Sequence, residues 1–191
     1  MGAEFSSRVM AVAFKFVEKE AGCTVDGCEQ TPATEVETYN HMSFNQELAS
    51  LPHGPEFRFL HEVTALVPGK SGEATYRISG EEDFLKGHFP GQPIWPGVIL
   101  LEAIAQLGGV VAQSDPALAK LADVRLTSVK NAKILGTATP GETLVITAQV
   151  EGRMGPLIQI SGSVTAPAGK ICSAMVMLSG TEMPESHQTV V

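Results

Sequence analysis

The chain has 191 residues, of which 43% are hydrophobic and 18% charged, so one well-packed domain with an appendage is expected. A formal net charge of −8 argues against nucleic acid or an anionic membrane surface as the main partner. No apolar run approaches the roughly 18 residues of a membrane span, and the N-terminal residues lack the features of a signal or transit peptide. The sequence predicts a cytoplasmic protein that neither spans a membrane nor binds nucleic acid.

The three cysteines, an odd number, predict no disulfide framework. Cys23 and Cys28 have no second cysteine or histidine pair at ligand spacing nearby. The spacings of His41, His53 and His61 fit no metal-ligand pattern either, and His53 is interpreted as a loop-positioning residue. We therefore expect neither a metal nor another cofactor.

The chain divides by composition into three parts. Residues 1–42 are predicted to form an N-terminal extension, in which Ser7–Glu20 is compatible with a short amphipathic helix and Gly22–Thr38 with a linker. The globular domain is predicted at residues 43–180. Residues 181–191 are predicted to form a solvated tail.

Within the globular part, helix and strand signals alternate with turns rich in proline and glycine. Helical turns are predicted within Ser43–Ser50, and a short helix is predicted after the Ser114–Pro116 turn, up to about Leu121. The predicted strands are Phe57–Val67, Glu73–Ile78, Val124–Ile134, Thr143–Glu151, Leu157–Thr165 and Ile171–Ser179. Short links between the last four strands predict antiparallel hairpins.

The most distinctive segment runs from Gly87 to Gln106. Its first ten residues hold three prolines and two glycines, which excludes a helix or a central strand. An apolar helix follows, with Pro96 at its first position and with Glu102, Gln106 and Gln113 as its strongly polar side chains. One long buried helix with about six antiparallel strands predicts an α+β domain, in which the sheet curls round the helix.

Glu102 is the unusual residue of this helix. Desolvation there disfavours the ionised carboxylate, and a neutral carboxylic acid can donate a proton. Gln106 lies four residues on, on the same helix face, and can hydrogen-bond the carboxyl group. His88, in the preceding loop, is the natural partner base. Spacing alone leaves open that Glu102, Gln106 and Gln113 form the polar stripe of an ordinary amphipathic helix and that His88 is a loop residue.

The Gly87–Gln106 segment is similar to the active-site segment of the bacterial 3-hydroxyacyl-acyl-carrier-protein dehydratases of fatty acid synthesis, which are hotdog-fold enzymes. The similarity continues through Leu51-Pro52-His53, Phe57–Leu60, Val129–Ile134 and Pro140–Leu144, and covers about residues 45–180. Without an internal repeat, a single hotdog is expected. The resemblance implies dehydration of (3R)-3-hydroxyacyl thioesters on acyl carrier protein to trans-2-enoyl thioesters, in fatty acid or related polyketide-like synthesis.

The resemblance also implies roles for individual residues. His88 would remove the proton next to the thioester carbonyl, Glu102 would protonate the departing hydroxyl, and the backbone N–H of Gly97 would bind the thioester oxygen. The carbonyl of Ile94 would fix the His88 ring, and Gln106 would orient the acidic side chain. The oxyanion-binding role of Gly97 has independent support, because N–H groups in the first turn of a helix lack intrahelical partners and the helix dipole favours negative charge there.

In this family the paired side chains come from different protomers, so the resemblance implies a homodimer. A trimer of dimers is common among relatives but does not follow from these residues. The predicted lining of the acyl tunnel is Phe89, Trp95, Val98 and Leu101. An acidic enzyme needs a local basic patch to receive an acidic carrier protein, and Lys86 and Lys133 are the predicted carrier-binding residues.

Three departures from the family pattern leave substrate length and carrier choice open. They are Trp95, where relatives usually have methionine, Glu56-Phe57-Arg58, and Ile134-Leu135-Gly136. Glutamate at position 102, where the isomerising branch carries aspartate, indicates the plain dehydratase branch. Two alternative functions also stay open, a hotdog acyl thioesterase and a non-catalytic hotdog that binds acyl carrier protein.

Overall fold

A computed structural model describes residues 45–49 and 51–183 of the chain. Its helices are α1 (Asn45–Ala49) and α2 (Gly97–Gln113), and its strands are β1 (Glu62–Val67), β2 (Ser71–Arg77), β3 (Leu121–Ile134), β4 (Thr143–Met154), β5 (Leu157–Ala166) and β6 (Gly169–Glu182). Two 3-10 helices, Pro55–Phe57 and Asp83–Lys86, precede β1 and α2 respectively. The extension predicted at residues 1–42 lies outside the described residues. Of the tail predicted at residues 181–191, Thr181 and Glu182 belong to β6, and residues 184–191 lie outside the described residues.

The six strands form one antiparallel sheet in the order β1-β2-β4-β5-β6-β3. Helix α2 packs against β2, β3, β4, β5 and β6, so the sheet curls round it. This arrangement confirms the predicted α+β hotdog fold. In the part of the chain that the structure describes, no helix has the length and apolar character to cross a membrane.

The core lies between α2 and the concave face of the sheet. Leu100, Ile104 and Leu107 of the helix are at most 1% exposed, as are Leu144 and Ile146 of β4. Along β4 these buried residues alternate with less buried ones, as the period-2 pattern predicts. Each such side chain stabilises the fold by roughly 1.5–3 kcal/mol relative to leaving it exposed.

Gly162 of β5 sets how closely the helix approaches the sheet. A Cβ atom at this position would lie 2.7 Å from the carbonyl oxygen of Thr147 and would overlap the side chain of Ile104. Only a residue without a side chain lets β4, β5 and α2 pack together at this point.

Several predicted elements differ from the structure. The predicted hairpins between β4 and β5 and between β5 and β6 are confirmed. The predicted hairpin between β3 and β4 is wrong, because β3 pairs with β6 and β4 pairs with β2 on its other side. Residues 135–142, which link β3 to β4, are longer than the usual hairpin loop of about 2–5 residues. They carry the chain from the edge strand β3 past β6 and β5 to β4. The segment after Pro116, predicted as a short helix, is a turn. The side chain of Gln113 hydrogen-bonds both the N–H and the carbonyl of Leu121, and β3 begins at that residue.

The first strand is shorter than predicted. It begins at Glu62 rather than near Phe57, because Phe57 lies in a 3-10 turn. The N–H of Phe59 donates to the side chain of Gln106 instead of to a neighbouring strand. The segment between Leu51 and Leu60 therefore packs onto α2 as a loop.

Candidate active site

The first turn of α2 presents free backbone donors beside the proline-rich loop. Pro96 is the N-cap, not the first helical residue as predicted, and Gly97 takes the first helical position. The loop is anchored by the N–H of Trp95, which donates to the carbonyl of Ala138 at 2.8 Å. The N–H groups of Gly97 and Val98 have no carbonyl one turn earlier to which they can donate. A Cβ at Gly97 would meet the side chain of Ile134 at 3.2 Å, so the main chain is closely approached here.

His88 is held in one tautomer by this loop. Its Nδ1 lies 2.7 Å from the carbonyl oxygen of Ile94. A carbonyl can only accept, so Nδ1 carries the hydrogen, and Nε2 of the neutral ring is unprotonated. Nε2 is therefore the atom that can take up a proton. The neighbouring Phe89 has a φ of 59° and is 59% exposed, a strained conformation for a bulky residue.

Gln106 is the buried polar residue that orients Glu102. Its Oε1 accepts from the N–H of Phe59 at 2.9 Å, which fixes the direction of the amide. Its Nε2 then donates to the carbonyl of Phe57 at 2.8 Å and to Oε1 of Glu102 at 3.0 Å. Gln106 is 2% exposed, whereas the side chain of Glu102 is 21% exposed. The carboxyl group of Glu102 therefore lies at a surface opening, whereas the Gln106 side chain that holds it is buried.

That opening leads into a cavity of about 460 Å³. Its walls are largely apolar and include Leu51, Ala105, Val110, Leu121, Val124 and Leu126. Its polar lining comprises His53, Glu102, Gln106, Gln113, Lys120, Asp123 and Arg125. A carboxyl group at one end of a mainly apolar cavity suits a substrate with a reactive polar group and an apolar chain.

The predicted tunnel lining differs from the lining of this cavity. Phe89, Trp95, Val98 and Leu101 are all absent from its walls. The cavity follows α2 from Glu102 towards Gln113, whereas these four residues precede Glu102 in the chain. Trp95 is instead a core residue, 3% exposed, packed on the rings of Phe59, Tyr76 and Phe84. Val98 is 70% exposed on the first turn.

The structure separates some predicted partners and brings others together. Glu102 and Gln106 line the cavity, while His88 does not. His53, interpreted from the sequence as a loop-positioning residue, lies with Nε2 3.3 Å from Oε1 of Glu102. No sequence spacing signals this contact, because 49 residues separate the two side chains. The match of Leu51-Pro52-His53 to the family pattern is the one sequence feature that singles out this loop.

The two predicted carrier-binding lysines are both exposed. Nζ of Lys86 lies 2.6 Å from Oδ1 of Asp83, and this hydrogen bond raises the pKa of Lys86 and lowers the pKa of Asp83. Lys133 lies on β3 beside Ile134, the residue that contacts Gly97. Lys120 and Arg125 add positive charge to the cavity lining. Sequence reasoning missed Lys120, since it falls in the turn that was expected to be helical.

Glu82 fixes the start of the loop that carries His88. It accepts hydrogen bonds from the N–H groups of Ser79 at 3.0 Å and Gly80 at 2.8 Å, and from the hydroxyl of Tyr76 at 3.0 Å. Burial acts to raise the pKa of Glu82, but these backbone hydrogen bonds outweigh it and leave that pKa below its usual value. Burial and the nearby carboxylate raise the pKa of Tyr76, so its hydroxyl stays the donor of this pair.

Comparison with known proteins gives matches over most of the chain. The FabA-like domain family matches residues 51–175. The chain is 36% identical to a 3-hydroxyacyl-acyl-carrier-protein dehydratase FabZ of Wolbachia pipientis over 112 residues, which covers 58% of this chain and 78% of the relative. It is 32% identical to a dehydratase of the same name from Chloroflexus aggregans over 142 residues, which covers 74% and 97%.

Solved structures agree on the fold. The dehydratase heterocomplex ApeI:P from Xenorhabdus doucetiae matches with a TM-score of 0.60 at 15% identity, covering 75% of this chain and 93% of that one. Zebrafish thioesterase superfamily member 2 matches with a TM-score of 0.53 at 16% identity, covering 72% and 92%. At such low identity these likenesses establish the hotdog architecture alone.

Proposed function

Because this chain belongs to the FabA-like family, we propose that it dehydrates (3R)-3-hydroxyacyl chains carried on acyl carrier protein to trans-2-enoyl chains, in fatty acid synthesis. The two curated relatives named above are dehydratases of this class, and the chain spans 78% and 97% of their length. The observation that carries the proposal is the carboxyl group of Glu102, held by Gln106 at the mouth of a mainly apolar cavity.

The proposed chemistry is an elimination of water. Nε2 of His88 takes the proton from the carbon next to the thioester carbonyl, and the C–H electrons form the new C=C bond. The C–O bond at the next carbon breaks, and the hydroxyl leaves as water with the proton of Glu102. The N–H of Gly97 binds the carbonyl oxygen as negative charge develops there. A positioned acid or base contributes about 10²–10⁴ in rate, and one oxyanion donor about 10²–10³.

A homodimer is part of the proposal, since it supplies both groups to one site. Strand β3 has a neighbour on one side only within the described chain, and its 14 residues are long for an edge strand. Leu126, Val129 and Ile134 of β3 are 37–52% exposed. A long edge strand that exposes three large apolar side chains favours pairing with the same strand of a second copy, about a two-fold axis. Ile134 near the end of β3 lies against Gly97 in the first turn of α2, so this edge of the sheet borders the proposed oxyanion donor.

Mixed dimers test whether the site is shared. His88→Ala and Glu102→Gln chains, each inactive alone, are co-expressed with different tags and purified together. If His88 and Glu102 come from different protomers, half of the dimers are mixed and each regains one of two sites, which restores about a quarter of the wild-type rate. Absence of any restored activity in dimers that carry both tags would mean that one chain supplies both groups.

The carrier protein is proposed to dock near Lys86 and Lys133. Lys86 lies two residues before His88, and Lys133 is adjacent to Ile134, which contacts Gly97. Carrier proteins are acidic, so reversal of either charge is expected to raise KM for carrier-bound substrate. We also propose a cytoplasmic location, supported by the buried thiol of Cys172, which is free and not disulfide-bonded.

One assay separates dehydration from the alternatives. The purified chain is offered 3-hydroxyacyl thioesters of several chain lengths on acyl carrier protein, and the enoyl absorbance and free thiol are followed together. Enoyl formation without thiol release is expected, and His88→Ala and Glu102→Gln should each lower kcat by at least about 100-fold. The matched control is His61→Gln, an exposed histidine beside β1 that does not line the cavity. Thiol release would indicate a thioesterase, and silence at every chain length a binding protein.

A further inference from the structure

We propose that His53 is a positioning residue for Glu102, which selects the carboxyl oxygen that delivers the proton. This deepens the proposed dehydratase function, on which it rests for the role of Glu102 as the acid. The inference comes from two side-chain nitrogen atoms that lie close to a single oxygen atom of that carboxyl group, one in a hydrogen bond and one at ion-pair distance.

The two groups near this oxygen are the amide of Gln106 and the imidazole of His53. Nε2 of Gln106 lies 3.0 Å and Nε2 of His53 lies 3.3 Å from Oε1 of Glu102. Oε1 accepts the N–H of Gln106 and lies 3.3 Å from the His53 nitrogen, so it is a poor place for a proton, which would face both groups. The neutral acid therefore carries its proton on Oε2. Oε2 is the atom that protonates the leaving hydroxyl, and Oε1 is the anchored one.

The surroundings of His53 indicate which ring nitrogen carries the hydrogen. Nδ1 is buried and has no hydrogen-bond partner among the described residues. Placing the hydrogen on Nδ1 would leave a buried donor unpaired and would set the Nε2 lone pair against Oε1 of Glu102, and both effects disfavour that tautomer. The Nε2–H tautomer satisfies the contact instead. His53 and His88 thus adopt opposite tautomers, since His88 donates from Nδ1 to Ile94.

His53 is held in place through its backbone and its ring. Its carbonyl accepts from Nε of Arg58 at 2.8 Å, and the same guanidinium reaches the carbonyl of Leu51 at 3.4 Å. The imidazole stacks on the ring of Phe57 at 6.0 Å between centroids. The Phe57 carbonyl in turn accepts from Gln106. One loop therefore anchors both donors, which preorganises the carboxyl group before substrate arrives.

Other charged groups near this pair come from two parts of the chain. Arg58 and Glu56 belong to the same loop, and Lys120, Asp123 and Arg125 line the cavity on the β3 side. Arg58 is committed to the two loop carbonyls. Among the ion pairs of the described residues, the His53 imidazole and the Glu102 carboxyl are the pair within this cavity. The contact between these two side chains is therefore the one to test.

Glutamine and asparagine at position 53 distinguish positioning from simple packing. The glutamine amide reaches the place of Nε2 and can still donate to Glu102, whereas the shorter asparagine amide matches Nδ1 and cannot. We expect His53→Gln to keep kcat within about 3-fold of wild type, and His53→Asn to lose about 10-fold or more with KM changed by less than about 2-fold. Equal kcat for His53→Asn and wild type would overturn the proposal, as would an increase in KM alone for both variants.

A second measurement is independent of turnover. The ring ¹⁵N shifts of His53, assigned from the His53→Gln spectrum, are recorded for wild type, Glu102→Ala and the control Glu56→Ala. We expect the Nε2 shift to move in Glu102→Ala and to stay in Glu56→Ala, where the exposed carboxyl of the same loop is removed. An unmoved shift in Glu102→Ala refutes the contact. If the Nε2 shift differs between wild type and Glu102→Ala but the wild-type chain forms no enoyl product, the proposed function is refuted and the His53–Glu102 contact is not.

Discussion

Replacing Gln106 with leucine tests whether one buried amide both stabilises the domain and orients Glu102. Leucine has a similar volume, so the loss is confined to the three hydrogen bonds of the amide. The N–H of Phe59, a residue 1% exposed, is then left without an acceptor, which costs about 1–3 kcal/mol. The carbonyl of Phe57 belongs to a residue 49% exposed and regains water, so it adds less. We expect the free energy of unfolding to fall by about 2–4 kcal/mol.

Urea unfolding followed by circular dichroism measures this loss, and enoyl formation measures the rate. We expect kcat to fall about 10-fold at a temperature where the variant is folded, because the carboxyl group loses one of its two N–H donors. The matched control is Gln159→Leu, which removes only a hydrogen bond to the weak sulfur acceptor of Met175. It should lose less than about 1 kcal/mol and keep its activity. A Gln106→Leu protein within about 0.5 kcal/mol of wild type would refute the reasoning.

Three further predictions concern close contacts and pH. Gly162→Ala should lower the free energy of unfolding by about 1–3 kcal/mol, because its Cβ meets backbone, whereas Gly152→Ala, with open space around its Cβ, should stay within about 0.5 kcal/mol in the same urea titration. Gly97→Ala should lower kcat about 10-fold by pressing on Ile134 at 3.2 Å, and adding Ile134→Ala should restore much of the rate; no recovery would contradict this contact as the cause. Because the pKa of Glu82 is lower in the folded than in the unfolded chain, its carboxylate stabilises the fold at pH values above the unfolded-state pKa. This stabilisation is lost as the pH falls through the folded-state pKa. The free energy of unfolding of Glu82→Gln should therefore decrease less below pH 4.5 than that of wild type.

The elements could be predicted from the sequence where a local pattern was sufficient. The apolar run after Pro96 predicted α2 to within one residue at its start, and period-2 alternation along residues 144–150 predicted β4. The pairing of β3 could not be predicted in this way, because the register of an edge strand depends on tertiary contacts rather than on its own residues. The turn after Pro116 was misjudged since the Gln113 hydrogen bonds that pin Leu121 cross from helix to strand.

The candidate site divides along the same line. The Gln106–Glu102 contact follows from helical spacing of four residues, and the Ile94–His88 contact followed from the family resemblance. The His53–Glu102 contact joins a loop to a helix across 49 residues, so no periodicity reveals it. The cavity lining was missed for a similar reason, because residues from β3 and the loop at Leu51 form its walls together with α2.

Trp95 is the single tryptophan of the chain, and it lies one residue before the N-cap of α2, buried against three aromatic rings. Tryptophan fluorescence of the whole protein therefore originates beside the proposed thioester-binding turn. A ligand that seats its carbonyl on Gly97 will alter this emission without any added label. The wild-type chain can accordingly serve as its own optical sensor for screening acyl chains of different length.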